Sequence, residues 1–254
     1  ELSLISENQE INLGKQAAPI AIQEFNGEFK DTNLQNYVSE IGLKLAQVSH
    51  RPLLSYRFGI VNSSEINAFA LPGGPVFITR GFLVKLQNEA QLAAVLGHEI
   101  GHITARHAIE QLQTNMLFQS ILSMAGSMTQ GTTAETLMSL GQVTSSLLQL
   151  RFSREDEKQA DLLGLRYSFN AGYNPWGVYQ ILQILMEEEK GKTGASLSFL
   201  RSHPLTQDRI ALVKREMSQN YPDSNNNPAL VFKPEIFLRN IQPLKKVQVA
   251  YEYY

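Results

Sequence analysis

The chain has 254 residues, 43% of them hydrophobic, a formal net charge of −2 and no cysteine. Its length and apolar content suit one large domain, or one domain with an appendage, around a sizeable core. Without cysteine the chain has no disulfides and no thiolate metal ligands, and its small, mixed charge argues against nucleic acid as a partner.

Two helices and a small sheet are predicted at the start of the chain. Residues 6–24 begin with a serine–glutamine capping box, and the apolar residues of 34–48 recur at helical spacing. Residues 54–60 alternate apolar and polar side chains, which predicts a half-buried strand. Residues 68–79 hold a Pro-Gly-Gly turn between two apolar runs, which predicts a hairpin.

A metal-binding motif, His98-Glu99-Ile100-Gly101-His102, lies in residues 88–113, which are predicted to form one helix. Residues four apart share a helix face, so His98 and His102 can bind one Zn²⁺ at about 2.0–2.1 Å. Glu99 projects about a quarter turn away, where its carboxylate can act as the general base of peptide hydrolysis. The bland alternative is an accidental pair of histidines on a solvated helix, and the apolar pattern around the motif disfavours it.

A catalytic zinc ion usually has a third protein ligand. On one continuous helix His107 lies about 180° around from His98, so it is predicted to be a surface or interhelical residue. Residues 153–172 predict another helix that begins with an acidic capping box. On this helix Glu157 and Asp161 share one face, so one carboxylate can bind the metal while the other holds a ligand imidazole by its second nitrogen. The alternative, an acidic first turn that complements the helix dipole, explains Asp161 poorly.

Residues 116–128 and 137–150 are the stretches that most resemble membrane spans. Each is shorter than the about 20 apolar residues that a spanning helix needs, and polar residues interrupt both. We therefore predict no transmembrane helix and interpret the two stretches as a helical hairpin that turns at residues 129–132. Ordinary packing is its simplest role, with an interfacial or substrate-capping role as the alternative.

Two more helices are predicted at residues 174–191 and 206–219. His203-Pro204 lies between them, and Arg209 follows in the second helix. An isolated loop histidine is most often structural or exposed, and we expect His50 to be a surface residue.

Four motifs together resemble the HtpX, CAAX-prenyl-protease and Oma-type family of gluzincin metallopeptidases. They are the HExxH helix, the RxxExxAD pattern within residues 153–161, Asn67-Ala68-Phe69-Ala70-Leu71-Pro72-Gly73-Gly74, and Ser202-His203-Pro204 followed by Arg209-Ile210. The chain is similar to the soluble, extracytoplasmic branch typified by BepA and LoiP. This resemblance implies Glu157 as the third zinc ligand and Glu99 as the general base, which leaves Asp161 to hold a ligand histidine.

The resemblance also implies that His203 lies in the active site. There it either donates to the tetrahedral oxyanion or occupies the fourth zinc position in a resting state, and Arg209 can serve the same negative charge. A sheet edge beside the zinc helix can accept an extended peptide, with a purely structural hairpin as the alternative. The residues predicted for this edge are Asn67, Ala68, Phe69 and Ala70.

The sequence therefore predicts a mainly helical α+β, zincin-like peptidase domain at residues 1–219, with a small sheet beside the HExxH helix. Residues 220–228 predict a linker, and the apolar residues up to 254 predict either added strands or a partner-binding tail.

The predicted function is a zinc endopeptidase, with one Zn²⁺ per chain, that cleaves unfolded or misassembled proteins in envelope quality control. A chaperone-like client-binding factor with a latent zinc site is the alternative, and the motif alone also allows a metallohydrolase of another substrate class. We expect an extracytoplasmic location, in the bacterial periplasm or associated with the envelope or a membrane surface, with any signal or lipid anchor outside this chain.

Overall fold

The computed structural model describes residues 5–114, 133–191 and 197–245. Its elements confirm the predicted mainly helical α+β fold with a small sheet. The strands are β1 (Arg57–Val61), β2 (Ala68–Ala70) and β3 (Pro75–Thr79). The helices are α1 (Glu7–Glu24), α2 (Thr32–Gln47), α3 (Arg80–Leu83), α4 (Glu89–Ala105), α5 (residues 107–114), α6 (Thr133–Leu148), α7 (Arg154–Asn170), α8 (Trp176–Gly191), α9 (Phe199–Ser202), α10 (Gln207–Asn220) and α11 (Pro234–Asn240).

The described strands form one sheet in the order β1-β3-β2. β1 runs parallel to β3, and β2 runs antiparallel to it with Phe69 opposite Phe77. The backbone N–H of Leu71 donates to the carbonyl of Pro75 (2.8 Å) and closes the turn, which confirms the predicted hairpin. β2 therefore lies at an edge of this sheet.

The prediction of a half-buried first strand was wrong in its extent and its burial. β1 begins at Arg57, and all of its residues from Phe58 to Val61 are buried. The reason is that both faces of the sheet are covered. Phe58 and Ile60 join the larger core with residues of α2 and α4, while Val61 joins a second core with alanines of α1.

α4 passes through the larger core, and α7 crosses it at very short range. A Cβ atom added to Gly97 would lie 3.3 Å from the Cα of Gly164, and one added to Gly164 would lie 3.1 Å from the backbone nitrogen of His98. Contacts this short favour glycine, because a side chain would force the two backbones to shift apart by a few tenths of an ångström. The acidic face of α7 is thereby brought against the histidines of α4.

α4 does not continue to residue 113 as predicted. It ends at Ala105, because Arg106 adopts a left-handed conformation with φ of 61°. Pairing of the Arg106 side chain stabilises this uncommon conformation: its Nε lies 3.0 Å from the buried carboxylate of Glu10, and its Nη2 donates to the carbonyl of Ile5 at 2.7 Å. The chain then restarts as α5.

No helix within the described ranges is long and apolar enough to span a bilayer. α6 includes most of the second of the two stretches discussed above. Residues 116–128 and the turn predicted at 129–132 lie outside the described residues.

In the part of the tail that the structure describes, up to residue 245, α11 forms and Val231 makes an isolated β-bridge with Tyr173. α11 and the residues after it bury three side chains, Phe237, Ile241 and Leu244, in the larger core. The carbonyl of Phe232 accepts the N–H of Ala90 at 3.4 Å, so the tail also contacts the start of α4. The domain boundary at residue 219 stays a prediction.

Candidate metal centre

The ring nitrogens of the two histidines of α4 lie close together. Asn88 caps the start of the helix, and its side chain accepts the backbone N–H of Gln91. His98 and His102 are both buried, and their Nε2 atoms lie 3.1 Å apart. Nitrogen atoms this close, on rings four residues apart, are arranged to share a cation.

α7 brings a carboxylate to the same place. A capping box of Ser153 and Asp156 starts this helix as predicted. One turn later, Glu157 places its Oε1 3.4 Å from His102 Nε2 and its Oε2 3.6 Å from His98 Nε2. Glu157 is fully buried, and its charge faces both imidazoles.

His203 completes a cluster of four possible ligands. It follows α9, and its Nδ1 lies 2.8 Å from Glu157 Oε1 and 3.3 Å from His98 Nε2. One ligand atom from each of His98, His102, Glu157 and His203 lies within 4.8 Å of the others. Four ligand atoms about 2.1 Å from one tetrahedral zinc ion lie about 3.4 Å apart, so the observed separations of neighbouring atoms fit such an ion.

Asp161 and Arg209 form hydrogen bonds and ion pairs with residues of the cluster. Asp161 Oδ1 lies 3.0 Å from His98 Nδ1, and because a carboxylate only accepts, the imidazole is the donor. Arg209 donates to both oxygens of Asp161 (2.7 and 2.8 Å) and its Nη1 lies 2.6 Å from Glu157 Oε2. Arg209 is 2% exposed and contacts these carboxylates and the carbonyl of Pro204, so its role toward an oxyanion stays a prediction.

Burial and the neighbouring charges shift the pKa values of the candidate ligands in opposite directions. Burial lowers the pKa of His102 well below the usual value of histidine, although its contact with Glu157 opposes this shift. Burial alone would raise the pKa of Glu157, but His203, His102 and His98 hold it well below its usual range. Burial would also lower the pKa of His98, but Asp161 and Glu157 raise it. The shifts of His102 and Glu157 favour the neutral imidazole and the ionised carboxylate, which are the forms that bind a metal ion.

Glu99 lies beside the cluster with unused hydrogen-bonding capacity. It is 1% exposed, and its Oε1 has no hydrogen-bond partner among the described residues. His203 Nε2 lies 3.7 Å from that oxygen. Burial raises the pKa of Glu99, while His203 and His98 oppose the rise.

The predicted substrate edge, β2 with the residue before it, lies near Glu99 of α4. In β2 the groups bonded to β3 belong to alternate residues, as seen for the carbonyl of Asn67 (to Thr79, 2.9 Å) and the N–H of Leu71 (to Pro75, 2.8 Å). Backbone groups of the intervening residues Ala68 and Ala70 therefore face away from β3. The backbone of Ala70 acts to lower the pKa of Glu99, so this edge lies near the candidate centre.

Two contacts of His102 were missed by the sequence analysis. His107 is 2% exposed and its Nδ1 lies 2.9 Å from His102 Nδ1, so it is interhelical and not at the surface. This agrees with the interhelical alternative, but the contact with His102 was not predicted because α4 ends at Ala105, and a left-handed arginine has no signature in the sequence. The ring of Phe152 lies tilted against His102 with centroids 3.9 Å apart, a contact that no motif predicts.

His50 is exposed as predicted, and its Nδ1 contacts the hydroxyl of Tyr167 (2.6 Å) away from the cluster. It takes no part in the candidate centre.

Comparison with known proteins agrees with this geometry. The profile of peptidase family M48 matches residues 32–217, which include all four residues of the cluster. The chain belongs to peptidase family M48. Family membership and the names of its relatives support a metalloendopeptidase.

Similar proteins come from mitochondria and from bacteria. The mitochondrial metalloendopeptidase OMA1 of Schizosaccharomyces pombe is 31% identical over 233 residues, with 84% of this chain and 66% of that protein covered. The beta-barrel assembly-enhancing protease of Escherichia coli strain K12 is 27% identical over 232 residues, with 87% of this chain and 46% of that protein covered. The chain thus spans about half to two thirds of the length of these relatives.

Proposed function

We propose that this chain is a zinc-dependent endopeptidase that cleaves unfolded or misassembled proteins. The observation that carries the proposal is the buried cluster of His98, His102, Glu157 and His203 with the carboxylate of Glu99 beside it. Two imidazoles and one carboxylate are a usual ligand set of catalytic zinc. We assign the ligand role to His98, His102 and Glu157.

Each remaining polar residue of the site has a task in this proposal. A bound zinc ion supplies Lewis acidity that polarises the scissile carbonyl and makes water nucleophilic near neutral pH. Glu99 takes the proton of the attacking water on its free Oε1 and passes it to the leaving amine. Its raised pKa suits both halves of that transfer. Asp161 and Arg209 keep His98 and Glu157 in position.

We propose that the substrate binds as an added strand on β2. The outward backbone groups of the partly exposed Ala70 offer hydrogen bonds to an extended peptide, and its small side chain lets the peptide backbone approach closely, with the buried Ala68 as the next residue of the edge with outward groups. Asn67 and Phe69 complete this edge. Binding of this type needs an extended chain, so it favours segments of unfolded or misassembled protein over folded ones.

The proposed setting is extracytoplasmic, in bacterial envelope quality control. One support is the similarity to relatives named beta-barrel assembly-enhancing protease in Escherichia coli and Shigella flexneri. Envelope-complex or membrane-surface association is part of the same proposal.

One observation favours a second candidate, a client-binding factor with a latent site. His203 lies among the ligands, where its Nδ1 is 3.3 Å from His98 Nε2, and it can supply a fourth protein ligand. A site closed by four protein ligands is typical of structural rather than catalytic zinc.

Metal analysis combined with a casein digest tests the main proposal. We expect about one equivalent of zinc, chelator-sensitive cleavage, and a loss of about 10²-fold or more in Glu99→Gln with zinc retained. Glu110→Gln, which changes an exposed glutamate on α5, is the matched control. Less than half an equivalent of zinc would refute the metal site, and full activity of Glu99→Gln would refute the base.

A series of N-methylated peptides tests the substrate edge separately. Single methyl groups are placed on successive backbone amides of one cleavable peptide. Because alternate N–H groups of an added strand face β2, we expect KM to rise by about 2- to 10-fold at every second position. An effect that does not alternate along the peptide would contradict strand addition and leave the zinc site untouched.

A further inference from the structure

His107 lies directly behind one of the proposed ligands. After the turn at Arg106, its ring lies against His102 with the two Nδ1 atoms 2.9 Å apart. Its Nε2 lies 3.0 Å from Oε1 of Gln159 on α7. Nothing in the proposed reaction uses His107 or Gln159.

The donors and acceptors of these groups give the contacts a direction. The amide oxygen of Gln159 only accepts, so the hydrogen in that contact belongs to His107 Nε2. Asp156 Oδ1, at 3.7 Å from the same nitrogen, is also an acceptor and favours the same placement. A neutral imidazole with its hydrogen on Nε2 has a lone pair on Nδ1, which accepts from His102 Nδ1–H. The lone pair of His102 is then on Nε2, the atom that faces His98 and Glu157.

We propose that Gln159 and His107 form a relay that fixes the tautomer and ring orientation of His102 for metal binding. This inference rests on the proposed metal site and adds two positioning residues to it. Ligand histidines usually donate their second nitrogen to a fixed partner, and losing that partner costs about 10- to 100-fold in metal affinity. Asp161 is that partner for His98, and a neutral histidine takes the place of the carboxylate for His102.

The relay also joins three helices, of which two carry proposed metal ligands. His102 lies on α4, His107 on α5 and Gln159 on α7, two residues after Glu157. The contact therefore sets the ring of His102 against the same helix that supplies the carboxylate ligand. Simple packing is the competing explanation, because His107 is buried and its ring lies 4.9 Å from that of His102.

Four substitutions separate hydrogen bonding from packing. His107→Phe keeps a ring but removes both nitrogens, whereas His107→Asn keeps an acceptor near the position of Nδ1. Gln159→Leu removes the acceptor of the relay, whereas Gln159→Glu keeps one. His50→Phe is the matched control, because this exposed histidine lies outside the relay.

Zinc affinity is measured by competition with a chromophoric chelator, together with the thermal midpoint of each metal-free variant. We expect His107→Phe to bind zinc about 10- to 100-fold more weakly, Gln159→Leu to lose less, and His107→Asn, Gln159→Glu and His50→Phe to stay near the parent. Equal affinity of His107→Phe and the parent would overturn the relay. An equal loss in His107→Asn and His107→Phe would assign the effect to packing and also overturn it.

The ¹⁵N spectrum of the metal-free protein gives a readout that does not depend on zinc. We expect His102 to carry its hydrogen on Nδ1 in the parent and in His107→Asn, and to populate both tautomers in His107→Phe. An Nε2–H tautomer in the parent would overturn the relay. A parent with the expected tautomer but no zinc binding would refute the proposed function and support the relay.

Discussion

His203 lies between the candidate ligand Glu157 and the carboxylate of Glu99. Its Nδ1 lies 2.8 Å from Glu157 Oε1, and its ring stacks on Phe199 with centroids 4.3 Å apart. Its Nε2 lies on the side of Glu99, 3.7 Å from the carboxylate. The same imidazole can therefore fill a ligand position at rest or donate to the substrate after a small displacement.

Replacing His203 with alanine separates these two roles. Because Nδ1 lies among the ligand atoms, we expect His203→Ala to raise basal casein cleavage several-fold while zinc stays bound. Loss of cleavage with zinc retained would instead identify an oxyanion donor. Unchanged cleavage and zinc affinity would contradict both roles, and His50→Ala provides the control for loss of an exposed histidine.

At the scale of single residues, the sequence predicts what depends on local spacing. His98 and His102 share a helix face because they are four apart, and Ser153 starts α7 because its side chain caps the helix. The contact of His107 with His102 was not predicted, because it depends on the left-handed turn at Arg106, whose side chain pairs with the distant Glu10. A local sequence pattern cannot predict the contact between Arg106 and Glu10, because the two residues are about 95 positions apart in the chain.

At the scale of elements, the crossing of α4 and α7 determines the site. Both helices have short contacts at glycine: Gly97 and Gly101 on α4, and Gly164 on α7. The resulting approach lets a glutamate and an aspartate of α7 reach the imidazoles of α4. The glycines were visible in the sequence, but only the structure shows that they face one another.

Enlarging Gly164 should therefore loosen the site. A Cβ there would lie 3.1 Å from the backbone nitrogen of His98, so Gly164→Ala must shift α4 or α7 by a few tenths of an ångström. We expect a loss of about 1–3 kcal/mol in the free energy of unfolding and weaker zinc binding. Chemical denaturation and chelator competition measure the two effects.

Gly141→Ala is the matched control for this change. Gly141 lies in α6, and a Cβ added to it meets nothing within 4 Å. Here alanine should stabilise the protein by about 0.4–1 kcal/mol through the unfolded state and leave zinc binding unchanged. Similar effects of the two substitutions would contradict the importance of the close crossing.

The sheet illustrates a different limit of sequence reading. Alternation in residues 54–60 correctly indicated a strand, but not that α1 and α2 cover opposite faces. Phe58 and Ile60 pack in the larger core on one face of the sheet, yet the alternate residues Gly59 and Val61 are buried as well. Burial of the second face depends on how helices pack, which strand periodicity does not encode.

At the scale of the whole molecule, the tail packs against the peptidase core. Phe237 is fully buried in the cluster that also contains residues of α4. Lys233 pairs with the buried Glu89 at 3.1 Å, at the start of the helix that carries the metal motif. We propose that the described tail, up to residue 245, belongs to the same folded unit as the metal centre.

Paired substitutions in α11 test this unity. Phe237→Ala removes a buried aromatic side chain, so we expect the free energy of unfolding to fall by about 3–5 kcal/mol and the thermal midpoint by about 6–20 °C. Leu238→Ala changes the next residue of the same helix, which is 38% exposed, and should cost about 1 kcal/mol or less. Because the tail contacts the start of α4, a single unfolding transition with simultaneous release of zinc is expected in both variants. A small, equal effect of the two substitutions, or a separate transition for the tail, would show that residues beyond 219 form an independent appendage.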